Sequence, residues 1–251
     1  MFLSDLHLGS RGCRSGELID FLSHNDADTI YLVGDVLDAW RLSSQWYWPP
    51  AHDRVLRALT GAARAGRRVV YLPGNHDDFL RGYGGAHFAG VEVLDRTIHV
   101  AADGRRYLVI HGDVCDPLVA STRRIHRVGY RAERTVLALD SGFNLLRRRL
   151  GLPRRSMTQW AKHKLKTSLR YISEYESAIA DLARSHAVDG VICGHVHHAA
   201  MHSELGVAYL NCGDWVESCT AIVEDDGRFE IIRWRAAHEA RAAAPAQARA
   251  A

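Results

Sequence analysis

The sequence predicts a mixed α/β fold with a helical segment inserted into it. Three observations carry this. Strand-length apolar runs rich in Val, Ile, Leu and Tyr recur at "TIYLVGD" (29–35), "RRVVYLPGN" (67–75), "RYLVIHGD" (106–113) and "DGVICGH" (189–195), as in strands buried on both faces. Helical patterns at about 15–24 and 52–65 separate the early runs, giving a βαβ rhythm. From 116 to 186 the pattern is helical throughout and interrupts the strand series. A chain of 251 residues, 47% hydrophobic and 24% charged, is long and apolar enough to bury a sizeable core.

The elements follow in order. The first strand, Phe2 and Leu3, has barely begun before polar residues arrive; either it is short or translation begins upstream of Met1. Gly66 is placed to stop the helix at 52–65. Within "VEVLDRTIHVAADGRRYLVI", Asp103-Gly104 marks a hairpin. Residues 136–150, "VLALDSGFNLLRRRL", carry apolar positions at helical spacing, broken by Gly151 and Pro153, and a second helix is expected from about Ser156 to His186. "MHSELGVAYLNC" and "TAIVEDDGRFEIIRW" read as antiparallel strands to about Trp234, and the tail from Ala236 is low-complexity. The expected organisation is a core of 1–115 and 187–235, a helical cap at 116–186 and a tail at 236–251.

Charge is unevenly spread. The net charge is only +3, yet residues 123–170 hold 14 Arg and Lys against Glu133 and Asp140, leaving the remainder at −9. Such a segment suits an anion, an acidic membrane surface or nucleic acid, or is a solvated helical face. The five cysteines contain no C-x-x-C pair, which favours reduced thiols in a cytoplasmic protein over a disulfide framework. No apolar run reaches spanning length, so any membrane contact is expected to be peripheral.

Five apolar runs end in polar motifs: Asp5-Leu6-His7, Gly34-Asp35-Val36-Leu37-Asp38, Gly74-Asn75-His76-Asp77, His111-Gly112-Asp113 and Gly194-His195-Val196-His197. Sites in open α/β sheets assemble at the carboxyl ends of strands. Carboxylate, amide oxygen and imidazole without thiolate suit Mn²⁺, Fe²⁺ or Zn²⁺ in a catalytic rather than a structural site. One carboxylate can bridge a pair of such ions and help to generate hydroxide near neutral pH.

D-x-H, G-D-x-x-D, G-N-H-D, a lone H and G-H-x-H, in this order between residues 4 and 198, resemble the calcineurin-like metallophosphoesterase superfamily. The resemblance implies a two-sheet sandwich flanked by helices. It implies one metal held by Asp5, His7 and His197, another by Asn75, His111 and His195, and Asp35 bridging two divalent ions, Mn²⁺ first. It makes His76 the outer-sphere imidazole of catalysis and Asp77 its orienting carboxylate, with Asp38 able to share that work.

"GDVLDAWRL", "GDWVESCTA" and the helical insertion are similar to the branch of UDP-2,3-diacylglucosamine diphosphatases of lipid A synthesis. That implies a nucleotide-lipid substrate cut to UMP and a lipid monophosphate, at the cytoplasmic face of the inner membrane. The best-known members of the branch carry Arg where this chain has His76. Leu137, Leu139, Phe143, Leu145, Leu146 and Leu150 could receive acyl chains or pack the insertion on itself. The loop "WRLSSQWYWPP", with Trp40, Trp46, Tyr47 and Trp48, could line a substrate groove or form a plug. Lys164, Lys166 and Arg170 are candidate phosphate contacts. A nuclease or general nucleotide phosphodiesterase is the alternative; apart from Tyr130, Trp160 and Tyr171 the basic run lacks the aromatics of a stacking platform, which argues against nucleic acid.

Overall fold

The computed structural model describes residues 1–116 and 157–234, with backbone alone for 157–170. The helix read at 136–150, its break at Gly151 and Pro153, and the tail at 236–251 lie outside the described residues. In chain order the elements are β1 (Phe2–Leu3), α1 (Ser15–His24), β2 (Thr29–Val33), α2 (Ala39–Ser44), α3 (Pro50–Arg64), β3 (Arg68–Leu72), a 3₁₀ turn (Asp78–Tyr83), β4 (His87–Phe88), β5 (Val91–Val93), β6 (Thr97–Val100), β7 (Arg106–Val109), a second 3₁₀ turn (Asp113–Cys115), α4 (Met157–Ser185), β8 (Gly190–Cys193), β9 (Ala200–His202), β10 (Ala208–Asn211), β11 (Thr220–Asp225) and β12 (Arg228–Arg233).

Two sheets result, one ordered β12-β11-β1-β2-β3-β5-β4 and the other β6-β7-β8-β10-β9. In the first, β1, β2, β3 and β5 run parallel; in the second, β7, β8 and β10 do. The first strand is indeed only two residues long, yet it lies centrally, between β11 and β2.

The continuous apolar runs arise because the first sheet is covered on both faces. Ile30 and Leu32 of β2, with Val69 and Tyr71 of β3, pack with Leu18 and Phe21 of α1 and Val55 and Leu59 of α3. The alternating residues Tyr31, Val33, Val70 and Leu72 pack with Tyr107, Val109, Ile192 and Leu210 of the second sheet. Burying each large side chain in these clusters contributes about 1.5–3 kcal/mol. A one-residue slip of β2 would exchange the two sets, so the register is fixed from both sides.

Helix α3 starts with Pro50 in its first turn, where no N–H is needed, and ends as read, with Gly66 beyond it at φ +92. The hairpin at Asp103-Gly104 joins antiparallel β6 and β7, and Gly104 has φ +86. One reading is corrected. The stretch after Asp38 was expected as loop, but Asp38 accepts a hydrogen bond from the Arg41 N–H and caps the short helix α2. Val91–Val93 pairs in parallel with β3.

The chain divides into two compact units, Met1–Asp113 with Ile179–Ala251, and Val114–Ala178. The second unit overlaps the segment 116–186, and the buried Ile179, Ala180 and Ala183 of α4 belong to the larger unit. No described helix is long and apolar enough to cross a membrane. No disulfide joins any of the five cysteines.

Candidate metal centre

The site is built on the turns that follow β1, β2, β3, β7 and β8. The first two turns continue the β1–β2 pairing: the Asp5, His7 and Leu8 N–H groups donate to Gly34, Asp35 and Val36 carbonyls at 3.0, 2.9 and 2.9 Å. Asp5 and Asp35 are thereby locked side by side. Asp5, His7, Asp35, His195 and His197 all have φ between 49 and 71°. A non-glycine residue in this region costs on the order of 1–3 kcal/mol, and such strain concentrates at functional sites. Close approach of backbone is equally demanding. A Cβ on Gly74 would lie 2.2 Å from Asp35 Oδ1, one on Gly34 2.2 Å from His111 Nδ1, and one on Gly194 1.8 Å from Ser4 Oγ.

Three groups of ligand-capable atoms result, each with its atoms within 4.8 Å of one another: first Asp5–His7–His197, second Asp35–His111–His195, and third His7–Asp38–His76, which shares His7 with the first. In the first, His7 Nε2 and His197 Nε2 face each other at 3.2 Å, and His197 Nε2 lies 3.2 Å from Asp5 Oδ1. Asp5 Oδ2 is already occupied, accepting from Ser4 Oγ at 2.5 Å and the His195 N–H at 2.9 Å. In the second, His111 Nδ1 sits 2.9 Å from the Val33 carbonyl, which turns Nε2 toward Asp35 Oδ2 at 3.5 Å. Asp35 Oδ2 also lies 3.9 Å from His7 Nε2, so this one oxygen faces both the first and the second group.

Asp5 Oδ1 and Asn75 Oδ1 are buried and accept no hydrogen bond. Buried acceptors are ordinarily satisfied. Two unsatisfied oxygens beside convergent imidazole nitrogens fit the ligand shell of divalent cations, and the absence of thiol from all three groups fits Mn²⁺, Fe²⁺ or Zn²⁺. Without cations, protons take their place. Although burial opposes a charged ring, Asp38 and Asp5 raise His7 to about 10, and Asp35 raises His111 to about 10. Asp35 falls to about 2 against the cost of burial, chiefly through His111.

His76, in the third group, stands beside the first two. Its N–H donates to Asp35 Oδ1 at 2.8 Å, its Nδ1 lies 3.1 Å from Asp38 Oδ1, and its Nε2 lies 3.9 Å from Asp35 Oδ2. Asp38 also faces His7 Nδ1 at 3.7 Å. Although burial opposes it, hydrogen bonding to His7 and His76 holds Asp38 well below the usual carboxylate range. Trp40 covers the His76 ring at 4.0 Å between centroids.

Of the two carboxylates that the resemblance offers for orienting His76, Asp38 is the one beside its ring, and Asp77 makes other contacts. Asp77 Oδ2 accepts from the Val36 and Leu37 N–H groups and the Tyr71 hydroxyl, and Oδ1 accepts from the Gly74 N–H. Asp77 is a clasp between the loop of Asp35 and the loop of Asn75. Burial and the nearby Asp35 charge push its carboxyl up. Trp46 is 75% exposed, its ring 6.2 Å from that of Trp48. Lys164, Lys166 and Arg170 lie on α4, and their side chains are outside the described residues. The Asp214–Ser218 turn beneath Asp5 was legible only as the resemblance of "GDWVESCTA" to one enzyme branch.

Carboxylates and imidazoles gathered at strand ends of a two-sheet sandwich define a class of metal-assisted hydrolases. Residues 1–199 match the calcineurin-like phosphoesterase family, and the chain belongs to it. It is a phosphoesterase of a family that uses divalent metals. A protein named UDP-2,3-diacylglucosamine hydrolase from Stenotrophomonas maltophilia is 30% identical, over 92% of this chain and 96% of its own length. Another of that name, from Nitrosococcus oceani, is 31% identical over 80% of this chain and 79% of its own length. One from Escherichia coli is 26% identical over 80% and 83%.

Proposed function

We propose that this phosphoesterase hydrolyses the pyrophosphate of a UDP-linked diacylated sugar, giving UMP and a lipid monophosphate. The observation that carries the reading is the similarity to proteins named UDP-2,3-diacylglucosamine hydrolase along nearly the whole chain, insertion included. In this reading Asp5, His7 and His197 would hold one divalent ion, Asn75, His111 and His195 the other, and Asp35 would serve both. Mn²⁺ is the first choice. Bound ions supply Lewis-acid polarisation of the phosphoryl group and lower the pKa of water.

The protein's own contribution is positional. Asp38 holds His76 through Nδ1 and leaves Nε2 facing the centre, where it donates a hydrogen bond or a proton to the departing phosphate oxygen. Trp40 restricts the ring by covering its face. This reading assigns the acyl chains to the segment 116–186 and substrate contacts to Lys164, Lys166, Arg170 and Trp46. The same basic segment holds the protein peripherally on the anionic cytoplasmic face of the inner membrane.

The His76–Asp38 pair favours a second reading, a nucleotide phosphodiesterase acting on simpler esters, since the best-known diphosphatases of this branch place Arg there. One comparison separates the two: catalytic efficiency with Mn²⁺ on UDP-diacylglucosamine, on its deacylated analogue and on short single-stranded DNA. A preference for the acylated substrate is expected. Equal rates with and without acyl chains overturn the lipid reading, and preference for DNA transfers the assignment to a nuclease.

A further inference from the structure

We infer that Asp214 is a positioning residue for Asp5, acting through the tight turn it builds between β10 and β11. The inference rests on the reading of Asp5, His7 and His197 as a metal-holding set. Asp214 is fully buried, and its carboxylate is spent on its own turn: Oδ1 accepts from the N–H groups of Val216 at 2.7 Å and Glu217 at 2.5 Å, and Oδ2 accepts from the Ser218 hydroxyl at 2.6 Å. The far side of the turn is tied down as well. The Thr220 N–H donates to the Asp214 carbonyl at 3.1 Å and the Thr220 hydroxyl to the Cys212 carbonyl at 2.7 Å. Gly213, at φ +74, admits Thr220 so closely that a Cβ there would lie 2.1 Å from its hydroxyl.

What this turn presents outward is the Trp215 N–H, which donates to the Asp5 carbonyl at 3.0 Å. The Trp215 carbonyl accepts from the Arg14 N–H at 2.8 Å, and its indole packs on Phe21 at 5.1 Å. Asp5 sits at φ 55, a conformation that persists only when its surroundings over-determine it. Its N–H is held by Gly34, its Oδ2 by Ser4 and His195, and its carbonyl by Trp215. Removing the carboxylate of Asp214 unlocks the last of these and lets Asp5 relax, which re-aims Oδ1 away from His7 and His197. Neighbours that orient a metal ligand are typically worth 10- to 100-fold in metal affinity.

The test titrates metal-free protein with Mn²⁺ by calorimetry and records the visible spectrum of the Co²⁺-loaded form. Circular dichroism and thermal unfolding verify the fold of each variant. Asp214→Ala is expected to weaken one of two binding events by roughly 10- to 100-fold, leave the other unchanged and alter the Co²⁺ spectrum. Ser218→Ala, which removes the hydroxyl that bonds Asp214 and Thr220 but keeps the Val216 and Glu217 N–H bonds to Asp214 Oδ1, is expected to weaken the same event by a smaller factor. It serves as the deciding variant if Asp214→Ala does not fold. Folded variants with wild-type affinity at both sites and an unchanged spectrum overturn the inference. Failure of the wild-type protein to bind metal at all would instead overturn the metal-centre reading beneath it.

Discussion

His76 is held by a carboxylate 38 positions upstream, not by its neighbour: Nδ1 lies 3.1 Å from Asp38 Oδ1, while Asp77 turns back to clasp the Asp35 loop. This arrangement fixes the ring without engaging Nε2. His76→Ala is expected to lower turnover by roughly 10²–10⁴-fold, the range of a positioned general acid. Metal content, measured by atomic emission, is expected to stay at the wild-type value. Loss of metal with turnover would make His76 a ligand.

Asp35 Oδ2 is the oxygen that faces both the first and the second group of ligand-capable atoms. Asp35→Asn is expected to abolish hydrolysis of bis-p-nitrophenyl phosphate while the far-ultraviolet spectrum stays native. Full turnover by the purified variant would exclude a bridging role.

Glycines separate site from scaffold. Gly194→Ala would put a Cβ 1.8 Å from Ser4 Oγ and 2.6 Å from Asp5 Oδ2, so Mn²⁺ affinity and activity are both expected to fall. Gly61→Ala, in α3 with nothing within 4 Å of the added carbon, is expected to stabilise the protein by about 0.5–1 kcal/mol and leave activity alone. Thermal unfolding and metal titration of the pair check both outcomes.

Protons and metal compete for one cluster. His7 and His111 are both raised from 6.5 to about 10 by neighbouring carboxylates in the metal-free protein. Their contribution to stability is present in full below pH 6.5 and is lost as pH rises through about 10. Denaturant unfolding of metal-free protein is therefore expected to show falling stability across that interval. Metal must displace those protons, so Mn²⁺ binding is expected to release protons and to strengthen as pH rises. A pH-independent Mn²⁺ affinity would contradict the charged imidazoles.

The strand runs and the polar motifs at their ends were legible because burial on both faces leaves an uninterrupted apolar signature, and because Gly, Asp, Asn and His stand out after it. Helix α3 and its stop were legible through helical spacing and Gly66, while its start at Pro50 was read as loop. The choice between Asp77 and Asp38 beside His76 was left open by the resemblance: the turn after Asn75 points Asp77 into the protein and brings Asp38 across from another loop. The left-handed conformations of Asp5, His7 and Asp35 leave no compositional trace, since glycine is absent at those positions. The turn at Asp214 likewise depends on backbone hydrogen bonds, which spacing alone does not reveal.

The separation along the chain has a consequence for biosynthesis. Asp5 and His7 meet His195 and His197 across 190 positions, and β1 stays half-paired until β11 exists. On the ribosome, the earliest residues of the centre therefore wait through most of translation before their partners emerge. Contacts this distant in sequence form late and slowly. If these residues hold metal as proposed, ion capture waits until His195 and His197 have been synthesised, because the Asp-x-His pair alone supplies only two of the ligands.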